Sequence, residues 1–229
     1  MKSPALARTR FATGLLLSRL PALGLTAAGE LKSLSLPPPR TDGGKPLMQV
    51  LRERQSQREM SPRAIEPQVL SDLLWAAFGI NRPATDHRTA PSAMNSQELD
   101  LYVALAHGVF VYNAKAHRLD PVAAGDVRAK TGGGDFVKVA PVALIFVADL
   151  ARMVKAKPEV KEPYAWVDTG YVSQNVYLFC ASAGLATVVH ELGNRQPLGA
   201  ALQLRPDQRI ILAQSVGYPA PAKPKSGSN

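Results

Sequence analysis

The chain has only one cysteine and fewer acidic than basic residues, and both features bear on its possible disulfides and binding partners. Its one cysteine, Cys180, cannot form a disulfide within the chain, so the cysteine count neither supports nor excludes an exported protein. The 18 acidic residues are outnumbered by 27 Lys and Arg, which gives a formal net charge of +9. The cations are scattered, without the basic run interleaved with aromatic residues that a nucleic-acid groove shows. We therefore expect no nucleic acid as a partner.

Metal and phosphate-loop patterns are missing as well. The four histidines lack the spacing of metal ligands, so we expect no metal site. Thr131-Gly132-Gly133-Gly134 is rich in glycine, but no Lys-Ser/Thr follows it and it does not lead from a strand into a helix. Cys180 stands beside Phe179 in a predicted helix, which favours a buried small residue over a nucleophile. The sequence offers no obvious catalytic set.

The first 29 residues have the pattern of an export signal. Lys2, Arg8 and Arg10 form a positive start, an apolar run covers residues 11–17, and small residues suitable for cleavage follow. Arg19 interrupts the apolar stretch, which argues against stable membrane insertion. These four cations come with no acid, so the rest of the chain has a net charge of +5. We expect an exported, periplasmic protein, or a cytoplasmic one if the leader is an uncleaved amphipathic or disordered arm.

Composition divides the remaining chain into three parts. Residues 30–45 contain Pro37-Pro38-Pro39 followed by Gly43-Gly44, a stiff spacer and a flexible one, which predicts a linker. A folded domain is expected over residues 46–225. Residues 226–229 are expected to form a flexible tail.

Apolar spacing within the domain predicts helices and strands in mixed order. Helices are expected over residues 46–58, from Pro67 to Gly79, and from Tyr164 to Ala183 with Gly184 as the end signal. Strands are expected over residues 99–103, 109–112, 141–147, 185–189 and 209–216, the first two paired through His107-Gly108. Asp126 to Phe136 is predicted to be a polar loop.

The end of the first predicted helix, residues 54–58, carries two arginines and a serine; we call it the basic segment. Its sequence is Arg54-Gln55-Ser56-Gln57-Arg58. In an extended chain Arg54, Ser56 and Arg58 would point to the same side, where two guanidiniums and a hydroxyl could clamp a phosphate. The alternative is a solvated, charged helix end, and spacing alone does not separate the two.

A second polar stretch, residues 91–97, is called the amide loop. Pro91 stiffens it, and Ser92, Asn95, Ser96 and Gln97 offer groups that donate and accept hydrogen bonds without carrying charge. Such a set suits the edge of a flat heteroaromatic ligand. The alternative is a capped loop in which Ser92 or Asn95 starts a helix.

Taken in order, these motifs resemble those of the nitroreductase family of flavin-dependent oxidoreductases. The resemblance covers roughly residues 46–225. It rests on the basic segment, the amide loop, the helix running into Ala183-Gly184-Leu185-Ala186-Thr187, and Val216-Gly217-Tyr218-Pro219 followed by Lys223-Pro224-Lys225. Each motif is weak alone, but four in this order and spacing are fairly specific.

The resemblance implies an α+β fold with a central, mostly antiparallel sheet flanked by helices. It also implies an intertwined homodimer with two FMN sites at the subunit interface. A hydride would pass from NAD(P)H or another reduced donor to FMN, and then to a small electron-poor acceptor such as a nitro or quinone-like compound. The flavin carries this chemistry, so no side chain need act as acid or base.

The resemblance also implies which residues would contact the cofactor. The phosphate and ribityl chain would be held by Arg54, Gln55, Ser56 and Arg58, with Lys223 and Lys225 closing from the C-terminal side. Asn95 would bond the edge of the ring, with Pro91 and Ser92 forming the wall from the partner subunit. The segment along the ring would be Val189, His190, Glu191 and Leu192, where a backbone N–H meets the redox-active nitrogen.

The chain departs from the family pattern at three places. Gln55 replaces a more usual basic residue, Lys225 stands where the family commonly has Arg, and Leu192 stands where it often has Gly. The alternative for His190 is a satisfied histidine at a strand end.

Two other functions remain open from the sequence. One is a flavin oxidase or dehydrogenase that resembles azoline-oxidising members; the other is a non-catalytic flavin-binding module.

Overall fold

The structure is a computed structural model that describes residues 31–221 of the chain. The predicted leader, the predicted tail, Lys223 and Lys225 lie outside the described residues.

One antiparallel sheet organises the fold. Its spatial order is β1 (Leu34–Ser35), β6 (Arg118–Ala124), β5 (Gly108–Asn113), β4 (Leu99–Leu105), β7 (Val142–Asp149), β9 (Gln208–Gly217) and β8 (Ala186–His190). Every neighbouring pair in this sheet is antiparallel. A separate ribbon pairs β2 (Ile80–Arg82) with β3 (His87–Arg88). The predicted α+β fold with a central antiparallel sheet is confirmed.

Helices cover both faces of the sheet. They are α1 (Leu47–Glu53), α2 (Pro67–Phe78), α3 (Phe136–Val139), α4 (Pro158–Ala183) and α5 (Gln196–Ala201). Short 3₁₀ turns span Pro83–Thr85, Ala93–Asn95, Arg128–Thr131 and Leu150–Arg152. No helix within residues 31–221 combines the length and apolarity that crossing a membrane requires.

Strand β7 shows why the predicted apolar run is continuous. All of its residues are buried. Leu144 and Phe146 belong to the core shared with α2 and α4, whereas Ile145 and Val147 belong to the core on the other face, with Leu198 of α5. A central strand covered on both sides has no solvent-facing positions, so it cannot alternate between apolar and polar residues.

Two helix bounds differ from the prediction. Helix α1 ends at Glu53, and Arg54 is already extended (φ −58°, ψ 123°), so residues 54–58 are not helical. Helix α4 begins at Pro158, six residues before the predicted start, and continues through Pro163. A proline near the start of a helix removes only one internal hydrogen bond, which long helices tolerate when they are packed. The predicted end at Gly184 is confirmed, with φ +71°.

Several elements were not predicted. Strand β6 contains Pro121, and α5 has only six residues, so neither has a strong sequence pattern. The predicted loop between Asp126 and Phe136 contains the 3₁₀ turn Arg128–Thr131 and leads into α3.

The stretch predicted as a linker is folded onto the domain from Leu31 onwards. Leu34–Ser35 pairs with β6, and the Pro37 carbonyl accepts a hydrogen bond from the Ser71 hydroxyl. The carboxylate of buried Asp72 accepts from the backbone N–H and Nε of Arg40, both at 2.8 Å. Burial by itself would raise the pKa of Asp72, but the hydrogen bonds from Arg40 and Gln68 lower it below its ordinary value. The contact therefore contributes its full stability at neutral pH. This contribution is lost as pH falls from the unfolded-state pKa of Asp72 through its lower folded-state pKa.

We expect Asp72→Ala to lower the free energy of unfolding by about 1–3 kcal/mol, since it leaves the Arg40 and Gln68 donors without their acceptor. Urea denaturation at neutral pH measures this. As a control, Glu53→Ala breaks the more exposed Lys45–Glu53 ion pair and should leave the unfolding midpoint nearly unchanged, because water screens exposed ion pairs. An unchanged unfolding midpoint for Asp72→Ala would show that this carboxylate does not anchor the segment.

Candidate functional site

The basic segment runs along the outer edge of β8, the last strand of the sheet. The backbone N–H of Gln57 donates to the Thr187 carbonyl at 2.9 Å. The segment is extended, as the phosphate-clamp hypothesis requires, and Ser56 and Arg58 are exposed while Arg54 is half-buried. The three groups are thus presented by a chain that is fixed to the sheet by its own backbone.

Tyr177 of α4 fixes the same segment from a second direction. Its hydroxyl shares a hydrogen bond of 2.8 Å with the Ser56 hydroxyl and accepts from the Val189 N–H at 2.9 Å. The Arg54 guanidinium lies 5.2 Å from the centre of the Tyr177 ring, within cation–π range. One buried hydroxyl therefore joins the basic segment, α4 and the end of β8.

The end of β8 presents alternate backbone groups to this edge. The Thr187 carbonyl and the Val189 N–H point away from the sheet, since residues two apart in a strand direct their backbone groups to the same side. Glu191 follows the end of β8, and the same alternation continued by one residue would turn its amide outward. Its side chain is exposed and lies 3.6 Å from Arg195. Leu192 is buried in the core on the α5 side, which gives its large side chain a packing role.

His190 turns its side chain into a small enclosure. Its Nε2 shares a hydrogen bond of 3.0 Å with the Ser215 hydroxyl, and its ring meets Phe136 edge-on at 5.2 Å. A Cβ added at Gly132 would lie 2.8 Å from the histidine Nδ1, so glycine is needed there for close approach. Burial lowers the pKa of His190, and the Arg58 charge lowers it further. Burial thus favours a neutral ring, but its Nδ1 is buried and has no hydrogen-bond partner among the described residues, so the histidine is only half satisfied.

The amide loop is held by a different part of α4. The Ala93 N–H donates to the Asp168 carboxylate at 2.8 Å, and the Ser92 hydroxyl accepts from the Gln97 N–H at 2.9 Å. Ser92 stands at the N-cap position of the 3₁₀ turn Ala93–Asn95, as the capped-loop alternative expects, but its side chain makes no cap hydrogen bond to the turn. Pro91 and Asn95 are nevertheless exposed, and Asn95 has a left-handed φ of 53°.

The structure does not bring the amide loop and the basic segment together within one protomer. Asp168 and Tyr177, which hold them, are nine residues apart on α4. This is two and a half turns, so the two side chains leave opposite sides of the helix about 13 Å apart along its axis.

The last described residues lie beside the basic segment. Met60 bridges to Pro219, and the Ala220 N–H donates to the Glu59 carbonyl at 3.1 Å. The chain that carries Lys223 and Lys225 therefore leaves the described part of the protein next to Arg58.

Sequence reasoning missed Tyr177 and Asp168. The one signal in the sequence was their position: polar side chains on turns of α4 whose neighbours, such as Val172 and Cys180, are buried. Cys180 is completely buried, as predicted, and burial raises the pKa of its thiol, which disfavours the nucleophilic thiolate.

The model of the nitroreductase family matches residues 51–218, well over half of the chain. The chain belongs to the nitroreductase family. Membership makes it an oxidoreductase that uses FMN as its cofactor.

Individual relatives agree with this family. "Putative nitroreductase MJ1384" of Methanocaldococcus jannaschii is 32% identical over 155 residues, which are 62% of this chain and 76% of the relative. A solved structure from Ralstonia eutropha JMP134, described in the same terms, is 38% identical with a TM-score of 0.80 over 90% of this chain and 97% of that one. A structure from Desulfovibrio desulfuricans in complex with FMN is 23% identical, with a TM-score of 0.56 over 82% and 94% of the chains, and shows the shared fold.

The donor set of this nitroreductase fits a flavin that carries a phosphate. Two guanidiniums and a hydroxyl stand on one fixed segment beside the edge of β8, where the Val189 N–H is bonded to the Tyr177 hydroxyl. A cleft of about 450 Å³ lies against Arg54, Gln55 and Tyr177. Cation and hydroxyl donors of this kind are the usual partners of phosphate oxygens.

We expect Tyr177→Phe to weaken FMN binding about tenfold, because Ser56 and the Val189 N–H lose a shared partner worth roughly 1.4 kcal/mol. Titration of flavin fluorescence measures the affinity. Tyr164→Phe, a change on the same helix away from the basic segment, serves as the matched control and should bind FMN normally. Equal affinity in both variants would contradict a role for the Tyr177 hydroxyl in shaping the site.

Proposed function

We propose that this nitroreductase passes a hydride from a reduced donor, NAD(P)H or another, through FMN to a small electron-poor acceptor such as a nitro or quinone-like compound. The observation that carries the proposal is the basic segment fixed against β8 and Tyr177 beside an exposed strand edge. That arrangement offers a phosphate site and a surface for a flat ring next to each other.

Arg54, Ser56 and Arg58 would hold the phosphate. Arg54 is stacked over Tyr177, which limits its rotamers, while exposed Arg58 can turn towards an anion. Gln55 contributes a neutral amide where relatives more often place a cation. Lys223 and Lys225, which follow from the chain end beside Arg58, would supply the charge that Gln55 lacks.

The ring would lie along the end of β8, from Val189 to Glu191. When bound, FMN supplies the hydride chemistry by cycling between its oxidised and two-electron-reduced forms. The protein's part is to fix the ring and to place the outward Glu191 amide at its edge. His190 is held by Ser215 and Phe136, so its contribution would be to support the strand rather than to transfer a proton.

A second copy of the chain would complete the site. Exposed large apolar side chains stand on α1 and α4, two helices that contact each other: Leu47, Met48, Leu51, Trp166, Val167 and Tyr171. Exposed apolar surface of this kind marks interfaces in soluble proteins. Since the amide loop and basic segment leave opposite sides of α4, a homodimer would let Pro91 and Ser92 of the partner face the flavin held by this chain.

Anaerobic addition of NADPH to the FMN-loaded protein tests the function. We expect the flavin absorbance to bleach and to recover when a nitro or quinone compound is added. A flavin that stays oxidised with both NADH and NADPH would contradict the nicotinamide donor. A reduced flavin that such acceptors do not reoxidise would contradict the proposed acceptors.

We expect Arg58→Gln to weaken FMN binding about tenfold or more while leaving riboflavin binding unchanged, because riboflavin lacks the phosphate that the guanidinium would bond. Comparing the two titrations separates loss of the phosphate contact from general damage. Arg118→Gln, a change of an exposed arginine on β6, is the control. Parallel losses for both flavins would place Arg58 outside the phosphate site.

We expect Val167→Glu to shift the protein from dimer to monomer in sedimentation analysis, since it puts a charge into the apolar surface on α4. Val154→Glu is the control, because Val154 is 81% exposed away from this surface. A wild-type protein that sediments as a monomer with FMN bound would overturn the dimer proposal.

A further inference from the structure

Glu98 is a carboxylic residue with no access to water. It follows the amide loop and precedes β4, and its residue exposure is 0%. Both side-chain oxygens are buried, and neither receives a hydrogen bond from any N–H or O–H donor among the described residues. An ionised carboxylate in such a place would carry an unpaid desolvation penalty.

The group that faces Glu98 is another carboxylate, that of Asp168. Asp168 is 2% exposed, and one of its oxygens already accepts the Ala93 N–H of the amide loop. Two carboxylates are both acceptors, so they can bond only if one of them keeps a proton. Burial raises the pKa of Glu98 to about 7, and the Asp168 charge adds to the rise. Arg152 and the backbone N–H of Glu98, which lies near the carboxyl without forming a well-aligned hydrogen bond, oppose it.

The surrounding charges do not neutralise the pair. Arg152 forms ion pairs with the carboxylates of Asp100 and Asp149 and donates a hydrogen bond to the Gln97 carbonyl. The remaining charged groups on the elements around it are Arg88 on β3, Lys161 on α4 and Arg205, which pairs with Asp149. Most of the Arg152 guanidinium is therefore engaged with groups other than Glu98, although its buried Nε has no hydrogen-bond partner among the described residues. A proton is the group that could join the Glu98 and Asp168 carboxylates directly.

The loop that Asp168 anchors is strained. Met94, Asn95 and Gln97 all have left-handed φ angles, of 54°, 53° and 46°. Each such non-glycine residue costs free energy, so the conformation persists only where other contacts enforce it. In the amide loop those contacts are the Ser92–Gln97 hydrogen bond and the anchor from Ala93 to Asp168.

We propose that Glu98 is a positioning residue of the flavin site: its carboxyl keeps a proton that it donates to Asp168, and this shared proton holds the amide loop, with Asn95, in its strained shape. When the proton leaves to solvent, two buried carboxylates face each other, Asp168 can no longer keep both its position and its contact to Ala93, and the loop loosens. The link to the flavin rests on the proposed function; the link to the loop does not.

The direction of the pH dependence follows because the fold favours the protonated, neutral form of the Glu98 carboxyl. A carboxyl favoured as the acid by the fold contributes fully below its unfolded pKa, and the contribution is lost as pH rises to the folded value. The loop should therefore be tight in mild acid and looser in mild alkali, the opposite of the Arg40–Asp72 contact.

Hydrogen–deuterium exchange of residues 91–97 in the flavin-free protein tests the proposal, with rates corrected for intrinsic exchange. From about pH 6 to about pH 8 we expect loop protection in the wild type to fall about tenfold. Glu98→Gln, whose amide can donate to Asp168 but cannot ionise, should keep the protection at both pH values. Glu162→Gln, a change of an exposed residue on α4, should behave as the wild type.

Two results would overturn the proposal. One is wild-type protection that does not change with pH, which needs no variant to fold. The other is a Glu98→Gln protein whose loop loosens with pH as the wild type does. FMN affinity is measured in parallel and should weaken with pH in the wild type but not in Glu98→Gln. A complete failure to bind FMN would contradict the proposed function while leaving the loop result to decide this inference.

Discussion

Helix α4 packs against both the sheet and α2, so the polar side chains on its buried turns must find partners inside the protein. Asp168 accepts a hydrogen bond from the amide loop, and Ser173 donates one to Gln214 of β9. The Tyr177 hydroxyl bonds both the basic segment and the end of β8. Three of the segments proposed to touch the flavin, namely the basic segment, the end of β8 and the amide loop, are thus held by this helix. Hydrogen bonds to the buried polar side chains of α4 therefore explain how the basic segment and the amide loop, which lack regular structure, can hold their side chains in fixed positions.

The same constraint shows what sequence can and cannot reveal. Local patterns predicted β7 from its apolar run and the helix end at Gly184, because each depends on neighbouring residues. They wrongly continued the first helix through residue 58, whereas residues 54–58 are not helical. The partners Asp168 and Tyr177 could not be predicted, since their roles come from contacts with residues 75 and 121 positions away. The start of α4 was missed because Pro163 has the local character of a helix breaker, and packing overrides it.

Composition predicted one stretch wrongly, the expected linker, and gave no signal for one buried residue, Glu98. Prolines and glycines before residue 45 predict a linker, yet proline carbonyls there accept hydrogen bonds from α2 and Arg40 pairs with Asp72. The buried Glu98 gave no sign in the sequence, because an acid at the start of a strand is normally solvated. Its importance appears only when the fold sets Asp168 against it. Buried charge is a property of tertiary structure, whereas helix and strand signals are properties of the local chain.

The most direct test of the account is a crystal structure of the protein loaded with FMN. We predict the phosphate within hydrogen-bonding distance of Ser56 and Arg58, and the ring along Val189 to Glu191 at an interface with a second copy of the chain. FMN bound away from the basic segment, or held entirely by one protomer without the partner's amide loop, would contradict the account.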